Sequence, residues 1–162
     1  MDFSLTEEHR MVQQMVSDFL RREVMPVIKE YDRKQEPAAF LLPRMGELGI
    51  LGVCLPVRFG GQGMDYLSLG LVCEELEYAD STLRVVMSVH MGLNSLGLFQ
   101  WASEDQKQQF LVPQAQGKKL AAFGLTEPNA GSDVAGLNST ARRSGDEYVL
   151  NGEKMWISLA SL

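Results

Sequence analysis

The hydrophobic period of this chain changes once, and that change limits what it can fold into. Over residues 1–113 apolar side chains recur at helical spacing; from 114 onward they fall into short runs between turn residues. Val12, Met15, Val16, Phe19 and Leu20 form the first helical stripe. Ser4 with Glu7 has capping-box spacing, Thr6 is a rival cap, and Glu7 and Glu8 suit the positive end of the helix dipole. Pro26 kinks or ends this helix. A second helix is expected from near Pro37 to the Gly46–Gly49 stretch, and a third after Asp65, through Leu67, Leu71, Val72 and Leu76. A fourth covers about Thr82 to Leu98, and a short fifth runs from Ser103, at capping-box spacing from Gln106, to just before Pro113.

Leu120 to Leu125 reads as a strand and is followed by a Gly/Asn/Ser/Asp-rich loop, Glu127 to Gly136. Three more strands are expected at Asn138–Arg142, Glu147–Leu150 and Lys154–Ile157. Ser144-Gly145-Asp146 and Asn151-Gly152 are the turns between them, the second a strong hairpin signal. The fold class is therefore α+β by segments: an all-α domain over 1–113, then over 114–162 the first strands of a β-sheet or barrel domain. So few strands leave an open edge and an uncovered face. The β part is expected to be incomplete or to depend on a partner.

Asp and Glu number 21 against 15 Lys and Arg, a net charge of -6. That balance argues against general binding to nucleic acid or to anionic membrane surfaces. Cys54 and Cys73 form no CxxC pair, which excludes a zinc ribbon and a disulfide scaffold. They suit reduced thiols in a cytoplasmic or organellar compartment. Met1-Asp2-Phe3-Ser4 shows neither a basic nor an apolar signal region. Val85 to Ser103 is uncharged and about as long as a membrane span. Ser88, His90, Asn94, Ser95 and Gln100 would be costly in hydrocarbon, so a helix or helix pair in a protein core is expected.

Few residue patterns carry chemistry. Gly60-Gly61-Gln62-Gly63 meets neither dinucleotide nor P-loop spacing and reads as a flexible connection. His90 reads as a core or interface residue rather than a catalyst. No metal-ligand spacing is present, and Gly92 to Gly97 lacks the G-x-S-x-G of a hydrolase elbow. The informative stretch is Gly124-Leu125-Thr126-Glu127-Pro128-Asn129-Ala130-Gly131-Ser132-Asp133-Val134-Ala135-Gly136. It is a loop of small residues, with successive N–H groups and two hydroxyls, able to approach a flat or anionic ligand.

That stretch resembles a signature of the acyl-CoA dehydrogenase family. So do Leu48-Gly49-Ile50-Leu51-Gly52 with Pro56, Gly60 to Tyr66, Glu74-Glu75-Leu76, and Asn151-Gly152-Glu153-Lys154-Met155-Trp156-Ile157-Ser158. The resemblance runs through essentially the whole chain in order, and spans less than half of a full-length member. It implies FAD as cofactor, with the strand and loop Phe123, Gly124, Leu125, Thr126 to Ser132 lying along it. Thr126 would bond the pyrimidine side of the ring, and Ser132 would sit near the pyrophosphate and the substrate thioester. Trp156 would pack on the ring beside Ile157, and Ser158, more often Thr in the family, would donate toward flavin N5. The implied reaction is α,β-dehydrogenation of an acyl-CoA, with an electron-transfer flavoprotein or similar acceptor and a homo-oligomer in the full-length form. The implied location is the bacterial cytoplasm or the mitochondrial matrix. No catalytic residue is assigned, because the proton-abstracting Glu of the family belongs to a C-terminal domain that these residues do not match. The chain alone is expected to be inactive. A non-catalytic assembly subunit, or one half of a split enzyme, is the alternative. Met87, Met91, Leu93 and Leu96 are candidate acyl-pocket residues that equally suit a core.

Overall fold

The computed structural model describes residues 4–162. The sequence reading at Met1-Asp2-Phe3 lies outside them. Helix α1, Glu7–Phe19, is capped by Thr6, whose side chain accepts from the His9 N–H while the Thr6 N–H donates to His9 Nδ1. His9 thus takes the role the sequence suggested for Glu7. The helix widens into a π-helical turn at Leu20–Val24 before Pro26, and α2, Ile28–Lys34, follows. The periodicity missed α2 because it buries no residue fully and its apolar face is only Ile28 and Tyr31, half-buried on the core; a Glu30–Lys34 ion pair at 2.7 Å also braces it. Pro37 to Phe40 form tight turns, so α3 spans only Leu41–Glu47.

Helix α4, Tyr66–Ala79, starts at Asp65, which accepts from the Ser68 N–H at 2.8 Å. Asp80 caps α5, Ser81–Val86. A π-helical stretch, Met87–Ser95, then leads into α6, Leu96–Trp101. No helix among the described residues is long and apolar enough to cross a membrane. The Ser103–Gln106 capping box is present and opens α7, Glu104–Gln106. Contrary to expectation, helical backbone continues past Pro113. A π turn at Lys107–Leu111 resets the hydrogen bonding, and α8, Val112–Ala115, takes Pro113 in its first turn, where a missing N–H costs nothing.

One core holds the helices together. Val16, Leu20, Met45, Leu51, Leu76 and Met91 are among its buried members. Gly60 to Met64 is not a loose connection. The N–H groups of Gly61, Gln62, Gly63 and Met64 donate to Pro56, Gly52, Leu55 and Val53. A Cβ at Gly61 would lie 2.1 Å from the Leu55 carbonyl oxygen, so only glycine permits this approach.

Beyond Gly117 the β part is small. Strands β1, Thr140–Ser144, and β2, Glu147–Asn151, pair antiparallel with Ser144 opposite Glu147 and Thr140 opposite Asn151. Every residue of both is exposed. The strands expected at Leu120–Leu125 and Lys154–Ile157 do not form. The single backbone bond between these segments is Met155 N–H to the Thr126 carbonyl, 2.9 Å. Trp156 and Leu159, at φ 59 and 69, also turn the second segment out of the pleat. Asn151-Gly152 therefore closes no hairpin: Asn151 ends β2, and Gly152 lies where a Cβ would overlap the Ser139 side chain. The architecture is a helical domain followed by an open two-stranded sheet, as the change of period indicates.

Candidate functional site

The chain enters the β part at a joint that His90 fixes. His90 is fully buried; its Nε2–H donates to the Gln114 carbonyl at 3.0 Å, and its Nδ1 accepts from the Ala121 N–H at 3.2 Å. One neutral tautomer satisfies both bonds. Burial pushes the imidazole below its ordinary range, against the Gln114 bond, which favours the protonated form. The residue is a structural anchor in the core, as its sequence context indicates. Ser95 Oγ donates to Gln114 Oε1 beside it at 3.0 Å.

Past the joint, Phe123, Gly124 and Leu125 run exposed and Thr126 is half-buried. Glu127 and Ala130 exchange backbone bonds of 3.0 and 3.1 Å around Pro128-Asn129, closing a tight turn. Glu127 is the buried carboxylate of the described residues, 5% exposed. Three donors reach it: the Asn138 N–H at 2.6 Å, the Ser139 N–H at 3.0 Å and Lys154 Nζ at 2.8 Å. A charge so covered persists only when paired and hydrogen-bonded. The Lys154 ammonium foremost, then Ser139 and the Asn138 N–H, bring its pKa down to about 2. Lys154 Nζ also donates to the Leu125 carbonyl at 2.9 Å. Sequence reasoning passed over this pair. Nothing in the spacing of two residues in separate turn-rich stretches links them, and Glu127 is one of two carboxylates in its loop, with Asp133.

The bonds from Lys154 and Met155 draw the Leu125-Thr126 segment and the approach to Trp156 together. Trp156 itself is 83% exposed. Ser132 lies on the exposed tip of the loop, and the N–H groups of Gly131, Ser132 and Asp133 donate to no acceptor among the described residues. Ser158 follows Trp156 by two residues and is half-buried. It lines an apolar cleft of about 340 Å³ with Ala38, Leu42, Leu83, Val86 and Leu162. Ile157 is half-buried between the two settings. Among the proposed acyl-pocket residues, Met87 and Met91 are core, whereas Leu93 is half exposed. No cluster of metal-ligating side chains occurs among the described residues.

Exposed Phe123, Leu125 and Trp156, adjoining a loop of unpaired N–H groups, offer apolar area to a flat ring and donors to an anion. That donor set fits FAD.

Comparison with known proteins gives the family. The acyl-CoA dehydrogenase N-terminal domain matches residues 6–118, and the middle domain of the same family matches residues 122–162. The chain belongs to the acyl-CoA dehydrogenase family. Over 158 residues it is 40% identical to the short-chain specific acyl-CoA dehydrogenase of Clostridium acetobutylicum, covering 98% of this chain and 42% of that one. Butyryl-CoA dehydrogenase from Megasphaera elsdenii superposes with a TM-score of 0.92 at 37% identity, over 97% of this chain and 42% of the other. An acyl-CoA dehydrogenase complexed with FAD, from Bacillus anthracis, superposes with a TM-score of 0.85 at 38% identity, over 95% and 27%. The chain thus spans about two-fifths of the length of the first two, and less of the third.

Proposed function

We propose that this chain supplies the helical domain and the first flavin-binding segments of an FAD-dependent acyl-CoA dehydrogenase. The observation that carries the reading is the tethering of Leu125-Thr126 to Lys154-Met155, two segments on which Phe123, Leu125 and Trp156 stay exposed. In this reading Phe123 to Thr126, Ser132 and Trp156 to Ser158 hold the cofactor. Thr126 donates to the pyrimidine side of the ring, Trp156 excludes water from one face, and the N–H groups near Ser132 face the pyrophosphate. Bound FAD supplies the hydride acceptor for α,β-dehydrogenation of an acyl-CoA thioester. Ser132 contributes to the thioester end of the substrate site. The base that removes the α proton lies outside residues 1–162.

The assembled enzyme is inferred to be a homo-oligomer that passes electrons to an electron-transfer flavoprotein or a similar acceptor, in the bacterial cytoplasm or the mitochondrial matrix. The domains divide near residue 113.

Titration of FAD with the purified chain, followed by flavin fluorescence, tests the cofactor reading. Saturable but weak quenching is expected, because only neutral N–H groups are assigned to the pyrophosphate, where a charged hydrogen bond would be worth roughly 1.5–3 kcal/mol, and Trp156→Ala should weaken it further. No quenching at millimolar chain would overturn the reading. Anaerobic addition of acyl-CoAs to the FAD-supplemented chain should leave the flavin absorbance unchanged. Bleaching would show that a base exists within these residues.

A further inference from the structure

Glu127 stands out because it is a covered charge where the surrounding segments bury almost nothing, and Lys154 reaches it from the surface. Every residue of β1 and β2 is exposed, and so are Pro128, Asn129 and Gly131 to Ala135. In that setting a carboxylate 5% exposed, with three donors, is a built feature. Its partner Lys154 has a second bond, to the Leu125 carbonyl, and the next residue, Met155, donates to the Thr126 carbonyl. Three consecutive residues, Leu125, Thr126 and Glu127, are therefore tied to two consecutive residues, Lys154 and Met155. Glu127 also accepts from the N–H groups at the approach to β1, so one side chain joins three segments.

We propose that Glu127 and Lys154 are the positioning pair of the cofactor site, fixing the Thr126 segment against the Trp156 turn so that both present to one flavin ring. This rests on the flavin reading of Thr126 and Trp156 given above. Neither residue of the pair is assigned a contact with cofactor or substrate. Their effect passes through Thr126, joined by its peptide bond to the Leu125 carbonyl that the Lys154 ammonium holds, and through the Met155 N–H next to Trp156 in the chain. A pair that only stabilised the fold would change melting. A positioning pair changes the ligand site while the helical core stays as it is, since no core residue touches it by hydrogen bond.

The test has two arms on the same proteins: the wild-type chain, Glu127→Gln, Lys154→Met and Lys154→Arg. In the first, without FAD, hydrogen exchange is followed at the Met155, Asn138 and Ser139 amides. Exchange at all three should accelerate about tenfold or more in Glu127→Gln, and at Met155 in Lys154→Met, as the closed state loses about one hydrogen bond's worth of protection. Amides of the helical core should be unchanged, and Lys154→Arg, which keeps charge and donors, should stay near wild type. In the second, FAD affinity should fall about tenfold in Glu127→Gln and Lys154→Met, a step of one decade in Kd, with most of it restored in Lys154→Arg. Unchanged Met155 exchange overturns the pair as a positioning device. Faster exchange with unchanged FAD affinity overturns its link to the cofactor. If the wild type itself fails to quench flavin, the flavin reading falls and takes the cofactor link with it, while the exchange arm still decides whether the pair fixes the two segments.

Discussion

His90 shows how far a single buried side chain sets the behaviour of this chain. It must be neutral to accept from Ala121 while donating to Gln114. Its folded pKa lies below the unfolded value of 6.5, so the unfolded chain binds the proton more readily. The stability it contributes is present above pH 6.5 and declines as pH falls below it. Asp65 and Glu127 act lower. Asp65, held by Ser68 first and then by His9, has its pKa lowered from 3.8 to about 2, and that of Glu127 falls from 4.5 to about 2. Their contribution is complete above about pH 4.5 and is lost as pH falls toward 2. Urea unfolding across pH should thus show two declines. Replacing His90 by Gln should cost about 1–3 kcal/mol at pH 7.5, through poorer satisfaction of two buried backbone groups, and should flatten the upper decline while leaving the lower one. A single decline below pH 4.5 in the wild type would show that His90 is not neutral-locked. The position of His90 in an apolar helix was legible in the sequence. Its partners were not, because hydrogen bonds to the backbone at Gln114 and Ala121 leave no mark on those residue types.

Among the elements, the helices with an apolar stripe or a polar cap announced themselves, and those without did not. α1, α4 and the Ser103 start could be read from Val16, Asp65 and Ser103, since burial and capping act on residue type. α2 could not, having only Ile28 and Tyr31 partly buried against the core. The strand-like runs at Leu120 and Lys154 have the right composition but lack ladder partners among the described residues. Glycine positions separate the two kinds of constraint. Gly61→Ala must displace the Leu55 backbone and should lower stability by about 1–3 kcal/mol. Gly70→Ala, at an exposed point of α4 with no atom within 4 Å of the added methyl, should raise it by up to about 1 kcal/mol. Thermal melts of the two variants check the contrast, and equal effects would contradict the packing described for the Gly60–Met64 loop. Ser103→Ala should cost about 1 kcal/mol, by loss of the cap and its reciprocal bond.

At the scale of the molecule, stability and ligand chemistry reside in different parts of the chain. The buried apolar core is helical, and from beyond Ala121 only Leu159 packs against it. The proposed cofactor residues lie almost wholly outside that core, on segments held by the Glu127–Lys154 pair and one backbone bond. A chain shortened to end at Ala122 keeps the His90–Ala121 bond and loses the partial burial of Leu159 and the wall that Ser158 and Leu162 give to the cleft beside Leu42, Leu83 and Val86. Its melting midpoint should therefore stay within about 4 °C of the longer chain, the shift expected for roughly 1 kcal/mol, with the helical circular dichroism retained. Trypsin should cut the longer chain first at Arg142 or Arg143, on the exposed β1 strand, well before Arg10 in α1 or Arg44 in α3. A large drop in midpoint on shortening, or first cleavage within the helices, would mean that the β segments help hold the helical core. The separation has a chemical consequence. Substitutions at Thr126 or Trp156 can alter cofactor affinity at little cost to folding, so their effects on FAD binding report on the site itself.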